Sequence, residues 1–195
     1  MFKVCVTGSS TGRLPPLLST FYGRTQRIGM QRNCLRTLLI FTWLLFLPCT
    51  LWAAQEGGHL IPFKGIDLNG GQPFDLQKSI GQNAIVLIFW ASWCPTCKTE
   101  VPKINQLAEK YRSRGMDFVA VNVGFNDSVE RARAFIRKTG MAYPSLFDST
   151  GRIAEQYRLQ GVPTIIIADK QGVIRFKNYG TPEITEAIFA KLMED

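Results

Sequence analysis

The sequence predicts an α/β fold: an α/β/α sandwich with a mixed central sheet and an added N-terminal β-hairpin. Two observations carry this prediction. Uncharged, β-branched runs alternate with helical patterns from residue 85 onward, as in parallel strands joined by helices. The chain then ends in two strands, separated by the tight turn Asp169-Lys170-Gln171-Gly172, and a last helix. This closing hairpin adds antiparallel strands, so the sheet is expected to be mixed.

Each element has a local signal. In chain order we expect a hairpin (64–68 with 72–76), a buried strand (85–90), a long helix (from the cysteine motif to about 114), a second buried strand (118–123), a helix (127–139), a short extended segment (144–147), a short helix (151–158), two paired strands (164–168 and 173–179) and a last helix from 181. Pro102 is expected to kink the long helix, because proline lacks an N–H and crowds the preceding turn.

Three short motifs mark the ends of these elements. Asn69-Gly70-Gly71 separates the two strands of the hairpin, as turn residues do. Asp127-Ser128-Val129-Glu130 resembles a capping box at the start of a helix. Thr181-Pro182-Glu183 combines a cap, a proline at the first helical position and an acid in the first turn, which predicts that the last helix begins there.

Residues 1–54 are predicted to be a leader, followed by a linker (55–62) and the folded domain (63–195). Within the leader, residues 30–54 place a short basic region before an uncharged apolar stretch, 37–54. This layout fits either a cleaved export signal or an uncleaved membrane anchor, and both stay open. Either would send the domain across the membrane, since the preceding arginines stay on the cytoplasmic side. Residues 1–29 are interpreted as an extension upstream of a start at Met30, or as a mitochondrial-type presequence.

The positive charge belongs to the leader. The chain has a formal charge of +8, but residues 1–54 hold six basic and no acidic side chains. Residues 55–195 hold 17 basic and 15 acidic side chains, which leaves a charge of +2. Nucleic-acid binding therefore loses its main support, and we expect no nucleic-acid partner.

The motif Trp93-Cys94-Pro95-Thr96-Cys97 is the strongest functional signal. It follows the uncharged strand 85–90 and precedes a helical pattern, so its cysteines are expected at a helix N-terminus. The unpaired N–H groups and the positive end of the helix dipole stabilise a thiolate there. Such a placement lowers a thiol pKa from about 8.5 to roughly 3.5–7.5. Two cysteines at this spacing close to a disulfide, so the motif predicts redox chemistry.

Other uses of cysteine are poorly supported. Cys5, Cys34 and Cys49 lie in the leader, and the domain has only the two cysteines of the motif. A small disulfide framework would need more pairs. Zinc would need about four ligands, whereas the lone His59 lies far from the motif in a glycine-rich segment. We therefore expect neither a metal site nor a cofactor.

Three features together resemble the thioredoxin fold, and more narrowly the exported, often membrane-tethered TlpA/ResA/DsbE group of thiol–disulfide oxidoreductases. They are the cysteine motif, Pro102 five residues after the second cysteine, and Gly161-Val162-Pro163-Thr164. The resemblance extends from about Pro62 to the C-terminus. Pro95-Thr96 matches the dipeptide of the cytochrome c maturation reductants, whereas the proline loop has the generic form and lacks the Gly-Ala-Pro-Glu sequence usual in that branch.

The resemblance implies roles for several residues. Cys94 would be the exposed nucleophile and Cys97 the buried resolving thiol, together forming the redox-active disulfide. Pro163 would be a cis proline facing that disulfide, and the backbone of Val162 would pair with an extended substrate strand. Trp93 is expected to shape the substrate surface, whereas Trp90 is expected in the core.

One acidic residue separates this chain from cytosolic thioredoxin. The position that carries thioredoxin's buried acid is Ile88 here, and the tethered group instead has an acid three residues after the second cysteine, which is Glu100. Helical spacing places Glu100 beside Cys97. With partial burial its pKa would rise, and it would accept or deliver the Cys97 proton. The alternative is an ordinary solvated carboxylate.

We therefore predict an extracytoplasmic thiol–disulfide oxidoreductase, bacterial and at the periplasmic face of the inner membrane, that reduces disulfides in protein clients, with cytochrome c maturation as one setting. The resemblance implies a membrane thiol carrier as electron donor. A thiol oxidant remains an alternative, because small changes in potential decide the direction of transfer. A thiol peroxidase of the same fold and a non-enzymatic copper-binding or thiol-binding module are further alternatives, although the accessory threonine and arginine of the first and the downstream histidine of the second are not evident.

Overall fold

The computed structural model describes residues 56–194. The predictions for the leader, residues 1–54, lie outside the described residues. The elements in chain order are β1 (Lys64–Ile66), β2 (Pro73–Asp75), β3 (Ala84–Trp90), α1 (Pro95–Tyr111), β4 (Met116–Asn122), α2 (Val129–Thr139), β5 (Ser145–Phe147), α3 (Arg152–Gln156), β6 (Thr164–Ala168), β7 (Ile174–Asn178) and α4 (Glu186–Met193). Two short 3₁₀ turns follow β2 and α1.

The central sheet is mixed, as expected. Its five strands lie in the order β5-β4-β3-β6-β7. β3 pairs parallel with β4, and β4 pairs parallel with β5. The β3–β6 and β6–β7 pairs are antiparallel. The predicted N-terminal hairpin is a separate two-stranded antiparallel sheet of β1 and β2. β3 is therefore the middle strand, and the cysteine motif follows directly from its C-terminal end.

Side-chain alternation along β3 divides the core in two. Val86, Ile88 and Trp90 belong to a cluster that also includes buried residues of α1, α2 and α4. Leu87 and Phe89 point into a second cluster with the hairpin region and Tyr157, next to α3. All seven residues of β3 are buried, which explains why its sequence is uniformly apolar rather than alternating. Both faces of the sheet are covered, and the sandwich is confirmed.

The segment expected as a linker packs against the sheet edge. Gly57 and Leu60 donate backbone hydrogen bonds to the carbonyls of Ile174 and Gly172. The Leu60 side chain is buried in the second core cluster. No helix among residues 56–194 is long and apolar enough to span a membrane.

The prediction for the start of the last helix is wrong. The structure begins α4 at Glu186, and Thr185 is its N-cap, with Oγ1 accepting a hydrogen bond from the N–H of Ile188. Thr181 lies before the helix, in a segment without regular secondary structure. Its N–H donates to the Glu100 carboxylate at 2.8 Å. The N–H of Thr181 therefore makes a tertiary hydrogen bond, and Thr181 is not the helix cap that the local sequence predicts.

The cap of α2 also differs from the prediction. Ser128, not Asp127, is the N-cap, because the Ser128 hydroxyl accepts from the N–H of Arg131. The Asp127 carboxylate instead accepts a hydrogen bond from the N–H of Ser92, the second residue after β3.

Candidate active site

Cys94 and Cys97 form a disulfide at the N-terminus of α1. Cys94 is the N-cap residue of the helix, and its Sγ accepts a hydrogen bond from the backbone N–H of Cys97 at 3.1 Å. Pro95 occupies the first helical turn, where its missing N–H leaves no intrahelical bond unmade. The first turn of α1 thus presents unpaired N–H groups and the positive end of its dipole to the sulfur of Cys94.

Burial does not distinguish the two cysteines. Each is 3% exposed, so the expectation that Cys94 is the exposed one is wrong for the disulfide form. What distinguishes Cys94 is its position, because it lines a surface groove and its Sγ lies 3.6 Å from the carbonyl oxygen of Val162.

The proline loop lies where the resemblance implies. The Val162–Pro163 peptide bond is cis. The loop is braced by Thr164, whose hydroxyl donates to the carbonyl of Gly161 at 2.7 Å. Among the described residues the backbone N–H of Val162 has no hydrogen-bond partner. The loop therefore offers a backbone N–H and a carbonyl beside the disulfide, the groups that bind an added strand.

Trp93 is half exposed, whereas Trp90 is buried. The Trp93 indole Nε1 donates to the carbonyl of Phe125 at 2.8 Å, which fixes the ring beside the disulfide. Trp90 stacks on Phe135, and its Nε1 donates to Ser145 Oγ. Trp93 thus contributes an aromatic surface next to Cys94, and Trp90 contributes to the core.

Glu100 is buried, but its pKa shifts opposite to the prediction. Desolvation is the largest influence and raises the pKa of this carboxyl. Hydrogen bonds from Lys103 and Thr181 together outweigh it and hold the pKa of Glu100 below its usual value. Lys103 Nζ lies 2.8 Å from Oε1, and the Thr181 N–H reaches Oε2. Glu100 is therefore ionised at neutral pH. The expected rise was wrong because it left out Lys103, three residues along the same helix, and Thr181, which is distant in the sequence.

A second buried carboxylate, which the sequence analysis missed, fixes the loop before the cysteines. The side chain of Asp127 is fully buried. It accepts hydrogen bonds from both the N–H and the hydroxyl of Ser92, each at 2.6 Å. Asn122 Nδ2 and the Ser128 N–H add two more at 2.8 and 2.9 Å. Ser92 is two residues before Cys94. Asp127 therefore connects the segment that precedes the cysteines to the β4–α2 loop.

Burial raises the pKa of Asp127, but the hydrogen bonds from Asn122, Ser92 and Ser128 outweigh this and lower it overall. Strand register contains a signal for this cluster. Trp90 is paired with Asn122 at the C-terminal ends of the parallel strands β3 and β4. The residues that follow parallel neighbours meet at one edge of a sheet, so Ser92 and Asn122 were predictable neighbours.

Comparison with known proteins agrees with this geometry. The Redoxin family matches residues 56–192. The chain belongs to the Redoxin family. This member is 32% identical over 135 residues to the thiol:disulfide interchange protein DsbE of Tatumella citrea, an alignment that covers 68% of this chain and 70% of the relative. It is 29% identical over 154 residues to the thiol-disulfide oxidoreductase ResA of Geobacillus kaustophilus, covering 74% and 86%.

A solved structure shows the same fold for this Redoxin-family chain. The crystal structure described as a thiol:disulfide interchange protein DsbE from Chlorobium tepidum superimposes with a TM-score of 0.60 at 27% identity. It covers 67% of this chain and 89% of that one. The protein is thus a thiol–disulfide oxidoreductase of the ResA/DsbE type, with Cys94 and Cys97 as its cysteine pair.

Proposed function

We propose that this oxidoreductase reduces disulfides in protein clients outside the cytoplasm, with Cys94 as nucleophile and Cys97 as resolving thiol. One observation supports this most: the disulfide caps a helix and lies beside a loop with free backbone groups. A helix N-terminus favours the Cys94 thiolate. The Val162 backbone and Pro163 provide an edge for an extended client segment. The leader, residues 1–54, carries the domain across the membrane as a signal or anchor, and a membrane thiol carrier supplies electrons.

The proposed thiol–disulfide exchange has two steps, and each conserves atoms and electrons. The Cys94 thiolate attacks one sulfur of the client disulfide, a Cys94–client bond forms, and the other client sulfur leaves as thiolate. Cys97, after losing its proton, attacks Cys94 Sγ, so the Cys94–Cys97 bond forms and the second client sulfur leaves. Two electrons move from the dithiol to the client. Cytochrome c maturation is one setting for this reaction, since cysteine pairs are reduced there before haem attachment.

Substrate trapping tests this function. The full chain carrying Cys97→Ser, expressed in its native host, is expected to accumulate mixed disulfides through Cys94, because no thiol remains to resolve them. They are separated on non-reducing gels, and the clients are expected to be exported proteins. The Cys94→Ser/Cys97→Ser double variant is the control and is expected to trap none. Absence of Cys94-linked complexes would contradict the proposed reaction, and an exclusively cytoplasmic set of clients would contradict the location.

We propose that Glu100 controls when the Cys97 thiol loses its proton. An ionised carboxylate three residues along the same helix opposes thiolate formation at Cys97 and accepts its proton when Cys97 attacks. Because the hydrogen bonds from Lys103 and Thr181 hold the pKa of Glu100 below its usual value, which is already well below that of an ordinary thiol, this proton transfer is uphill. The carboxylate therefore keeps Cys97 protonated until the mixed disulfide at Cys94 has formed, which separates the roles of the two thiols.

Replacing Glu100 by glutamine is expected to increase the reactivity of Cys97. In a Cys94→Ser background, the rate of Cys97 alkylation by iodoacetamide at pH 7 should rise about threefold to tenfold, because a nearby negative charge is removed. The measurement is the alkylation rate between pH 6 and 10. Glu109→Gln, an exposed carboxylate on the same helix, is the control and should leave the profile unchanged. A Glu100→Gln profile identical to that of the parent would refute this role.

A further inference from the structure

A groove of about 430 Å³ opens beside Cys94. One side is formed by the cysteine motif and the first turn of α1, including Trp93 and Lys98. The other side is formed by α2, through Arg131, Phe135 and Lys138. These three positions are spaced i, i+4 and i+7, so they lie on one face of the helix. The groove therefore places a reactive sulfur, an aromatic surface and three cations along one depression.

The charges of this groove are of one sign. Among its lining residues there are three cations, Lys98, Arg131 and Lys138, and no carboxylate. Arg131 is partly balanced, because its Nε lies 3.4 Å from Asp127. Within residues 56–194, Lys98 and Lys138 form no ion pair. The folded domain as a whole is close to neutral, so this concentration of unpaired cations is local.

Exposed aromatic side chains in and beside the groove indicate that it binds a polypeptide. Trp93 is 50% exposed and Phe125, which holds the indole through its carbonyl, is 69% exposed. Large exposed aromatic side chains beside cations are characteristic of protein interfaces, where tryptophan and arginine contribute most of the binding energy. A small thiol compound would not cover this surface.

We propose that the groove binds an acidic segment of the client polypeptide, next to the client cysteine that bonds to Cys94. This inference rests on the proposed function and specifies its substrate class. Arg131 and Lys138 are seven residues apart on α2, about 10 Å along the axis at 1.5 Å per residue. An extended client covers that length in about three residues at 3.3 Å each. Acidic side chains at alternate positions lie on one side of an extended strand, about 6.6 Å apart. Two of them therefore fit within this length and would face the cations while the aromatic surface packs on the client backbone.

Three peptides test the proposal with the reduced full chain. Each carries the same internal disulfide, flanked on one side by two glutamates, two glutamines or two lysines at alternate positions. The measurement is the second-order rate constant for peptide reduction at 0.05 M and 1 M salt. The glutamate peptide is expected to react about tenfold faster than the lysine peptide at low salt, with most of the difference lost at high salt, because charge complementarity acts chiefly on association.

The charge-reversal variant Lys98→Glu/Lys138→Glu provides the decisive comparison. The glutamate-to-lysine rate ratio is expected to fall below one in this variant. A matched control, Lys78→Glu/Lys191→Glu, changes the net charge equally at exposed lysines outside the groove and should keep the parent ratio. Equal rates for the three peptides, or a ratio that the groove variant leaves unchanged, would overturn the groove proposal alone. Failure of the parent protein to reduce even the glutamine peptide would overturn the proposed function and this proposal with it.

Discussion

Cys94→Ser is expected to remove the exchange activity. A serine hydroxyl does not attack a disulfide, and Cys97 is held inside the first turn of α1 with its N–H bonded to the sulfur of residue 94. We expect reduction of a peptide disulfide to fall at least about 10³-fold, to the background without protein. The measurement is the initial rate of peptide reduction by the reduced full chain at pH 7.

Two further variants separate this effect from loss of thiols in general. Cys97→Ser should retain a single rapid attack and then stop as a mixed disulfide, since Cys94 is unchanged. Cys49→Ser, which changes a cysteine of the leader, should keep the full rate. Substantial reduction by Cys94→Ser would show that Cys97 or a leader cysteine is the nucleophile, contrary to the roles assigned above.

Asp127→Ala is expected to have the largest effect outside the cysteine pair. The substitution leaves the Ser92 N–H, the Ser92 hydroxyl and Asn122 Nδ2 without their acceptor in a buried site. Removing a buried charged acceptor from several donors costs about 3–5 kcal/mol. We expect that decrease in the free energy of unfolding, measured by urea denaturation at pH 7. Asp117→Ala, which removes one hydrogen bond to Asn83, should cost about 1 kcal/mol or less.

The Asp127 effect has a defined pH dependence. Its pKa is lower in the folded protein than in the unfolded chain, where it is about 3.9. The stabilisation is therefore complete above that unfolded value and is lost as pH falls through the folded pKa. The difference in unfolding free energy between parent and Asp127→Ala should be constant from pH 7 to about 5 and should shrink below about pH 4. A difference that grows in acid would contradict the assignment.

We also expect Asp127 to act as a positioning residue for Cys94. Because Ser92 precedes the cysteine motif, loss of its two hydrogen bonds frees the loop that carries Cys94. We expect Asp127→Ala to change the Cys94–Cys97 reduction potential, measured by equilibration with glutathione under conditions where the variant stays folded. Asp117→Ala should leave the potential unchanged. A destabilised Asp127→Ala with the parent potential would show that Asp127 supports the fold alone.

Most of the fold follows from local patterns in the sequence. The uncharged runs at β3, β4 and β6 predict strands because each is buried on both faces. Asn69-Gly70-Gly71 predicts the turn between β1 and β2 because few other residues adopt such turns as easily. These signals are intrinsic to the segments that carry them, so the order of the elements and the mixed sheet were predictable.

The two errors about helix starts share a physical cause. Thr181 resembles a helix cap locally, but its N–H is bonded to Glu100, 81 positions away in the sequence. Asp127 likewise resembles a cap, but Ser92 and Asn122 use its carboxylate. In each case a tertiary hydrogen bond replaced the local one. The N–H of Thr181 also adds to the hydrogen bond from the nearby Lys103, and together they reverse the expected pKa shift of Glu100.

The most direct test follows the disulfide itself. The purified full chain is reduced, mixed with a peptide that has one internal disulfide, quenched in acid at successive times, alkylated and mapped by mass spectrometry. Thiol–disulfide exchange as described here predicts a transient bond from the peptide to Cys94, followed by a Cys94–Cys97 disulfide in equal amount to the reduced peptide. A peptide that stays oxidised, or one that is reduced while Cys94 and Cys97 remain thiols, would contradict it.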